Sequence, residues 1–203
     1  MAIDLVKAFN TMQTTVFSAD DPRQGMRRLV EYCTELAPGN AWDDLLVLDI
    51  EMDSLLLQGW VQKILLAEPP VDVRAFWFGL FQAELDGGEA TYLLYIAGSS
   101  EYDSDDETAD WACDPDYFPE NRYIRSSVLD GIYRFLQGRD EETKLLGEYL
   151  LLIGYAGLVL RDILPAVNPH LLLGSAASRV VAVGYDDGDF ITLGEITGEG
   201  WAE

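Results

Sequence analysis

The sequence predicts an α+β fold: a largely antiparallel sheet, built from two hairpins, that packs against several helices. Two regions, residues 1–40 and 126–165, carry the apolar spacing of amphipathic helices. Each is followed along the chain by a pair of strand-like apolar runs, within residues 71–123 and 179–193. This order of helices, strands, helices and strands differs from the alternation of a parallel βαβ sheet. With 203 residues, the chain is predicted to form a single domain over residues 1–203.

The N-terminal region predicts two helices. Apolar residues from Ile3 to Phe17 recur at helical spacing. Asp21 followed by Pro22 is typical of an N-cap and a first helical residue, so a second helix is expected to run to about Leu36. Pro38 and the residues after it end this pattern.

The next segment fits two structures. Residues 45–52 (LLVLDIEM) alternate like a strand, but their apolar residues also match a helical period. We predict a strand here, followed by a helix from Asp53 to about Ala67. Pro69 and Pro70 close that helix.

The predicted central hairpin comprises Ala75–Phe81 (AFWFGLF) and Tyr92–Ala97 (YLLYIA). Both runs are short, apolar and rich in aromatic residues, as is typical of strands covered on both faces. Asp86, Gly87 and Gly88 lie between them and supply the positive φ angles that tight turns need.

The second half of the chain repeats this order. Ser126 and Ser127 with Asp130 resemble a capping box, which opens a helix ending near Gly138. A further helix from residue 140 to 165 is apolar on more than one face and is therefore predicted to be deeply buried. Its most apolar run, residues 149–160, is too short to span a bilayer. Residues 179–184 and 190–193 flank an acidic turn and predict the second hairpin.

The charge composition restricts the partners. Thirty-six acidic residues against 13 Lys and Arg give a formal net charge of −23. Such a surface disfavours nucleic acid and anionic lipid, and it favours a basic protein partner. The N-terminus lacks the pattern of a signal peptide, and two distant cysteines fit a reducing compartment. We therefore expect a soluble cytoplasmic protein that does not bind membranes.

The acidic loop, residues 101–120, contains the main candidate site. Its nine acidic residues have no Lys or Arg among them, yet aromatic residues and prolines are interleaved with them. A disordered acidic tract would be poor in aromatic residues, so the rings are predicted to hold the loop against the body of the protein. The predicted partner-binding residues are Tyr102, Asp103, Asp105, Asp106, Glu107, Asp110, Trp111, Asp114 and Asp116 in this loop, and Asp186, Asp187 and Asp189 in the C-terminal hairpin turn.

Sequence motifs of catalysis are missing. His170 is the one histidine, and neither a phosphate-binding glycine motif nor G-x-S-x-G occurs. Asp103 and Asp105 begin a pattern like an EF-hand loop, but Thr108 occupies the position where that loop needs glycine. We predict no catalytic residue, no metal site and no cofactor.

The chain resembles the immunity proteins of bacterial toxin–immunity systems in four segments: AFWFGLF, YLLYIAGSSEYD, DWACDPDYFPENRY and, near the end, GYDDGDFITLG. The resemblance is one of overall style over about half the chain. It implies a small acidic inhibitor that covers a cognate toxin. Two alternatives remain: a nucleic-acid mimic whose carboxylates replace phosphates, and an enzyme that uses carboxylates or a divalent metal.

Overall fold

The computed structural model describes residues 3–85, 88–105, 110–186 and 188–202. Within these ranges it contains seven α-helices and a six-stranded sheet, which confirms the predicted α+β class. The helices are α1 Leu5–Ser18, α2 Pro22–Leu36, α3 Ile50–Ala67, α4 Ser127–Leu136, α5 Glu141–Gly147, α6 Ile153–Ile163 and α7 Pro169–Leu173. The strands are β1 Ala75–Glu84, β2 Ala90–Ser99, β3 Tyr123–Arg125, β4 Ser178–Tyr185, β5 Phe190–Thr197 and β6 Gly200–Ala202.

Both predicted hairpins are confirmed, and one parallel pair joins them. The strand order is β3-β2-β1-β4-β5-β6. Strands β1 and β2 form the first antiparallel hairpin, and β4 and β5 form the second. Strands β1 and β4 run parallel, with Ala75 opposite Val180 and Trp77 opposite Ala182. The two hairpins therefore form one continuous sheet. Asp86 and Gly87 of the first turn lie outside the described residues.

The helices cover one face of the sheet, which we call the helical face. Phe76, Phe78 and Leu80 of β1 point into this main core and are buried. Helix α6 packs against β4 and β5 on one side and against α1 and α2 on the other. Residues 150–160 are all buried, which confirms the predicted depth of this segment.

The segment Glu141–Ala166 is long and apolar enough to cross a membrane by composition alone. In the structure, however, 72% of its most apolar window is buried inside the protein. A π-helical turn at Glu148–Leu152 connects α5 to α6, and a 3-10 turn ends the run at Leu164–Ala166. Packing within the core thus accounts for the apolar character of this helix.

The predicted strand at residues 45–52 is wrong. Trp42–Val47 forms a 3-10 helix, and α3 begins at Ile50, three residues earlier than predicted. The side chain of Asp49 caps α3 by accepting a hydrogen bond from the Met52 backbone N–H at 3.1 Å. The alternation of apolar residues that suggested a strand therefore spans the end of a 3-10 helix and the first residues of α3, and the N-cap Asp49 lies between them.

The N-caps of α2 and α4 follow the sequence signals in part. Asp21 accepts a hydrogen bond from Gln24 N at 2.7 Å, as predicted. Ser126 caps α4 by accepting one from Leu129 N at 3.0 Å. Asp130 does not complete a capping box: it accepts hydrogen bonds from the Thr91 hydroxyl and the Arg125 guanidinium, each at 2.8 Å. Asp130 therefore ties α4 to β2 and β3.

Candidate functional site

The second face of the sheet carries no α-helix among the described residues, and we call it the open face. A 3-10 turn, Asp110–Ala112, packs on it through Trp111. Alternate residues of the strands place Trp77, Tyr95, Ala97 and Ala182 on it, in a small cluster separate from the main core. Gly79 makes room for the Tyr95 ring, because a Cβ atom at Gly79 would lie 2.1 Å from Tyr95 Cε1. The missing side chain makes space for the Tyr95 ring next to β1.

The acidic loop folds back onto this open face. Trp111 is buried and packs edge-on against Trp77, with ring centroids 5.9 Å apart. Tyr102 packs against Trp111 in the same way at 5.2 Å. At the other end of the loop, Tyr117 pairs with Gly98 through two backbone hydrogen bonds of 2.9 Å. The prediction that aromatic rings hold the acidic loop against the protein is therefore confirmed.

A cavity of about 820 Å³ lies where the acidic loop and the C-terminal hairpin turn meet above the open face. This volume is within the range of ligand-binding pockets. Trp77, Tyr95 and Phe118 supply aromatic rings, whereas Asp110, Asp114 and Asp186 supply carboxylates. The remaining lining residues are Ala112, Cys113, Pro115, Tyr185 and Gly188. We call this the rim-and-ring cavity.

A chain of hydrogen bonds orients one carboxylate of the cavity. The Trp77 indole Nε1–H donates to the Tyr95 hydroxyl at 3.2 Å, and that hydroxyl donates to Asp186 Oδ1 at 2.5 Å. Burial raises the pKa of Tyr95 above its ordinary value, and the hydrogen bond and charge of Asp186 raise it further. Tyr95 therefore stays a neutral donor at physiological pH, and it holds Asp186 at the cavity wall.

The structure brings together three of the predicted partner-binding residues from two distant segments. Asp110 and Asp114 of the acidic loop and Asp186 of the C-terminal turn all line the rim-and-ring cavity. Asp103 and Asp105 are exposed in the loop, where Asp103 accepts a hydrogen bond from Asp105 N at 2.9 Å. Three further predicted residues lie outside the described residues: Asp106, Glu107 and Asp187.

Three predicted residues of the acidic loop have an anchoring position instead. Trp111 is buried, and Tyr102 is half-buried against it. Asp116 accepts a hydrogen bond from the Ser100 backbone N–H at 2.7 Å. Hydrogen bonds from Ser100 hold the pKa of Asp116 below its usual value. These contacts fix the loop and leave the neighbouring acids at its surface.

Asp189 lies on the other side of the hairpin turn from Asp186. It lines a separate cavity of about 240 Å³ together with Tyr149 and Glu148. A hydrogen bond to Asp189 raises the pKa of the Tyr149 phenol, with smaller contributions from burial and from the Asp189 charge. The acidic turn is therefore divided between two sites.

Trp77 and Tyr95 lie in the predicted core strands, and Phe118 is not among the predicted partner-binding residues. The sequence does contain one indication that Trp77 and a second ring lie together. Trp77 and Gly79 share one strand face, so a bulky ring on a neighbouring strand could lie over the glycine. Identifying that ring as Tyr95 requires the strand register, which the sequence alone does not give.

The arrangement suits binding of a cation. Carboxylates attract positive charge, and aromatic ring faces stabilise it further. Among the described residues, no group of three or more His, Cys, Asp or Glu side chains is placed to hold a metal ion. His170 is exposed on α7 and does not line the rim-and-ring cavity.

Comparison of the chain with protein-family models, with curated proteins and with solved structures finds no match in any of the three.

Proposed function

We propose that this chain is an acidic cytoplasmic binding protein that neutralises a basic partner protein, and that it acts as an immunity protein against a cognate bacterial toxin. The proposal rests on one observation above all. Carboxylates from two segments more than seventy residues apart in sequence, Asp114 and Asp186, meet at one cavity with aromatic walls. Such a surface combines charge, which speeds and selects a basic partner, with rings, which supply affinity.

The shape of the site favours a folded protein partner over the alternatives. A nucleic-acid mimic needs acidic groups in an extended row that repeats the spacing of phosphates. Asp110, Asp114 and Asp186 instead surround a concave pocket. The lone histidine lies elsewhere, which gives no support to a nucleophile activated by histidine.

The test is a pull-down from the lysate of the native host with three tagged proteins: the wild type, Asp110→Lys/Asp114→Lys, and Glu31→Lys/Glu35→Lys. Glu31 and Glu35 are exposed on α2. Each double variant replaces two carboxylates with two lysines, so both change the net charge equally. We expect the wild type and the α2 variant to retain one basic protein in stoichiometric amount. The cavity variant should lose it.

Two results would contradict the proposal. Equal retention by all three proteins would remove the cavity from the interaction. Retention of many DNA-binding proteins that are released by added DNA would favour the nucleic-acid mimic. Inhibition of the captured protein's toxic activity by the wild type, and not by the cavity variant, completes the assignment.

A further inference from the structure

An arginine of this protein already lies on the aromatic wall of the rim-and-ring cavity. The Arg122 guanidinium carbon lies 3.6 Å from the centroid of the Phe118 ring and 4.7 Å from that of Tyr123. Its Nη1 donates to the Pro119 carbonyl at 3.1 Å. Despite the net charge of −23, none of the ion pairs in the described part of the chain includes Arg122. Ring faces and one carbonyl hold this cation.

The Phe118 ring that contacts Arg122 also lines the cavity. Phe118 packs edge-on against Tyr95, with centroids 6.3 Å apart, and both rings line the cavity. The Phe118 side chain is 47% exposed, so a large part of it remains open to solvent. Phe118 therefore offers ring surface to another molecule, whereas Tyr95 and Trp77 are buried and form the floor of the cavity.

The cavity contains carboxylates, which the contacts of Arg122 do not include. Asp110 and Asp114 stand on the loop side, and Asp186 stands on the turn side, with Tyr95 donating to it. A carboxylate can accept up to about four hydrogen bonds, so a carboxylate in the wall can bind a multidentate donor. Guanidinium fits such a site better than ammonium, because it is planar, stacks on rings and bonds carboxylates in a bidentate way.

From this geometry we infer that the rim-and-ring cavity is an anchor site for an arginine side chain of the basic partner. The guanidinium lies against the exposed part of the Phe118 ring and is held by Asp186 and the loop carboxylates. The inference deepens the proposed function and rests on it, since it names the chemical group through which the partner binds. An anionic ligand is excluded by the three carboxylates of the wall, which would repel it.

The anchor can be tested without knowing the partner. The probes are three blocked tripeptides, Gly-X-Gly with X as arginine, lysine or citrulline; citrulline has nearly the shape of arginine without its charge. Each is titrated into the intact protein while the indole N–H resonance of Trp77 is followed by NMR. We expect saturable binding of the arginine peptide, about tenfold weaker binding of the lysine peptide, and no saturable binding of the citrulline peptide.

Matched variants locate the binding. Asp110→Asn/Asp114→Asn should weaken the arginine peptide roughly tenfold, since it removes two carboxylates of the cavity. Glu101→Gln/Glu120→Gln removes two exposed carboxylates of the same loop that do not line the cavity, and should leave the affinity unchanged. A native amide spectrum for each variant confirms that it is folded.

Any other outcome contradicts the proposed arginine-binding site. Equal affinity for arginine and lysine, or an equal effect of both variant pairs, would show attraction by net charge alone. Absence of a saturable shift would show that the cavity does not take a guanidinium. The pull-down decides the proposed function separately: a partner lost with Asp110→Lys/Asp114→Lys but no arginine binding leaves the function standing and removes the anchor.

Discussion

Two glycines at contrasting positions test how the open face is built. Replacement of Gly79 by Ala would place a Cβ atom 2.1 Å from the Tyr95 ring, so the ring must move. Gly59 lies inside α3, and a Cβ atom there would meet nothing within 4 Å. We expect Gly79→Ala to lower the free energy of unfolding by about 1–3 kcal/mol through overpacking. Gly59→Ala should raise it by up to about 1 kcal/mol, because alanine has the higher helix propensity.

Urea unfolding of both variants measures these changes. Gly79→Ala should also shift the Trp77 indole resonance, because Trp77 donates to the Tyr95 hydroxyl. A stable Gly79→Ala protein with an unchanged Trp77 resonance would contradict the close fit of Tyr95 against β1.

A buried carboxylate connects three helices, and its removal tests how they are held together. Asp53 of α3 is 1% exposed. It accepts hydrogen bonds from the Ser126 hydroxyl at 2.6 Å, from Ser127 N at 2.7 Å and from the Tyr155 hydroxyl of α6 at 2.7 Å. In Asp53→Ala these donors lose a buried acceptor, and each buried unsatisfied group costs about 1–3 kcal/mol. We expect a total loss of about 3 kcal/mol or more in the free energy of unfolding.

Removing one donor to Asp53 should lower the free energy of unfolding less than removing Asp53 itself. Tyr155→Phe removes one donor and should cost about 1 kcal/mol, since the other donors still reach Asp53. Lys63→Ala, at an exposed position of the same helix, should change stability by less than about 0.5 kcal/mol. Equal and small effects for Asp53→Ala and Lys63→Ala in chemical denaturation would argue against a structural role for this carboxylate.

Element-level signals explain which parts of the fold could be predicted. The hairpins and the N-cap at Asp21 were predictable, because turn chemistry, strand propensity and capping act over a few residues. Residues 45–52 were not, since their apolar pattern fits both the strand period and the helix period, and the sequence signal of the Asp49 N-cap lies inside that pattern. The parallel pairing of β1 with β4 depends on contacts about a hundred residues apart, which no local signal encodes.

The candidate site, too, could be predicted only in part. The acidic character of Asp110, Asp114 and Asp186 is visible in the sequence, because charge is a property of each residue. Their meeting at one cavity is not visible, because it requires the loop to fold onto the open face and β4 to lie beside β1. The roles of Tyr95 and Trp77 follow from strand register, which only the folded chain fixes.

Alkaline pH should unfold the whole molecule through its tyrosines. Burial, as the largest cause, raises the pKa of Tyr95, Tyr117, Tyr155 and Tyr185 above the ordinary value. In the unfolded chain these phenols ionise near pH 10. Above that pH the unfolded state binds fewer protons than the native state, so the free energy of unfolding falls as the pH rises.

Phenolate absorbance and circular dichroism, recorded together, check this prediction. Part of the absorbance should appear only when the fold is lost, and Tyr95→Phe should make the decline of stability with pH less steep. Ionisation of all ten tyrosines near pH 10 in a protein with a native spectrum would contradict their burial.

At the scale of the whole molecule, salt should act in opposite directions on stability and on binding. A net charge of −23 repels itself in the compact state, and screening relieves that repulsion. Raising ionic strength from about 0.01 to 0.1 M shortens the Debye length from about 30 to about 10 Å. The melting temperature should therefore rise. Association with a basic partner should slow over the same range, because long-range attraction is screened.

The α2 variant Glu31→Lys/Glu35→Lys separates the two effects of charge. It reduces the net negative charge away from the rim-and-ring cavity, so the dependence of its melting temperature on salt should be weaker than in the wild type. Its dissociation rate from the partner should be unchanged, since close contacts rather than the overall field set that rate. Asp110→Lys/Asp114→Lys should show the same weaker dependence of stability on salt together with much faster dissociation. Identical dissociation rates for the two variants would mean that overall charge, and not the cavity, holds the partner.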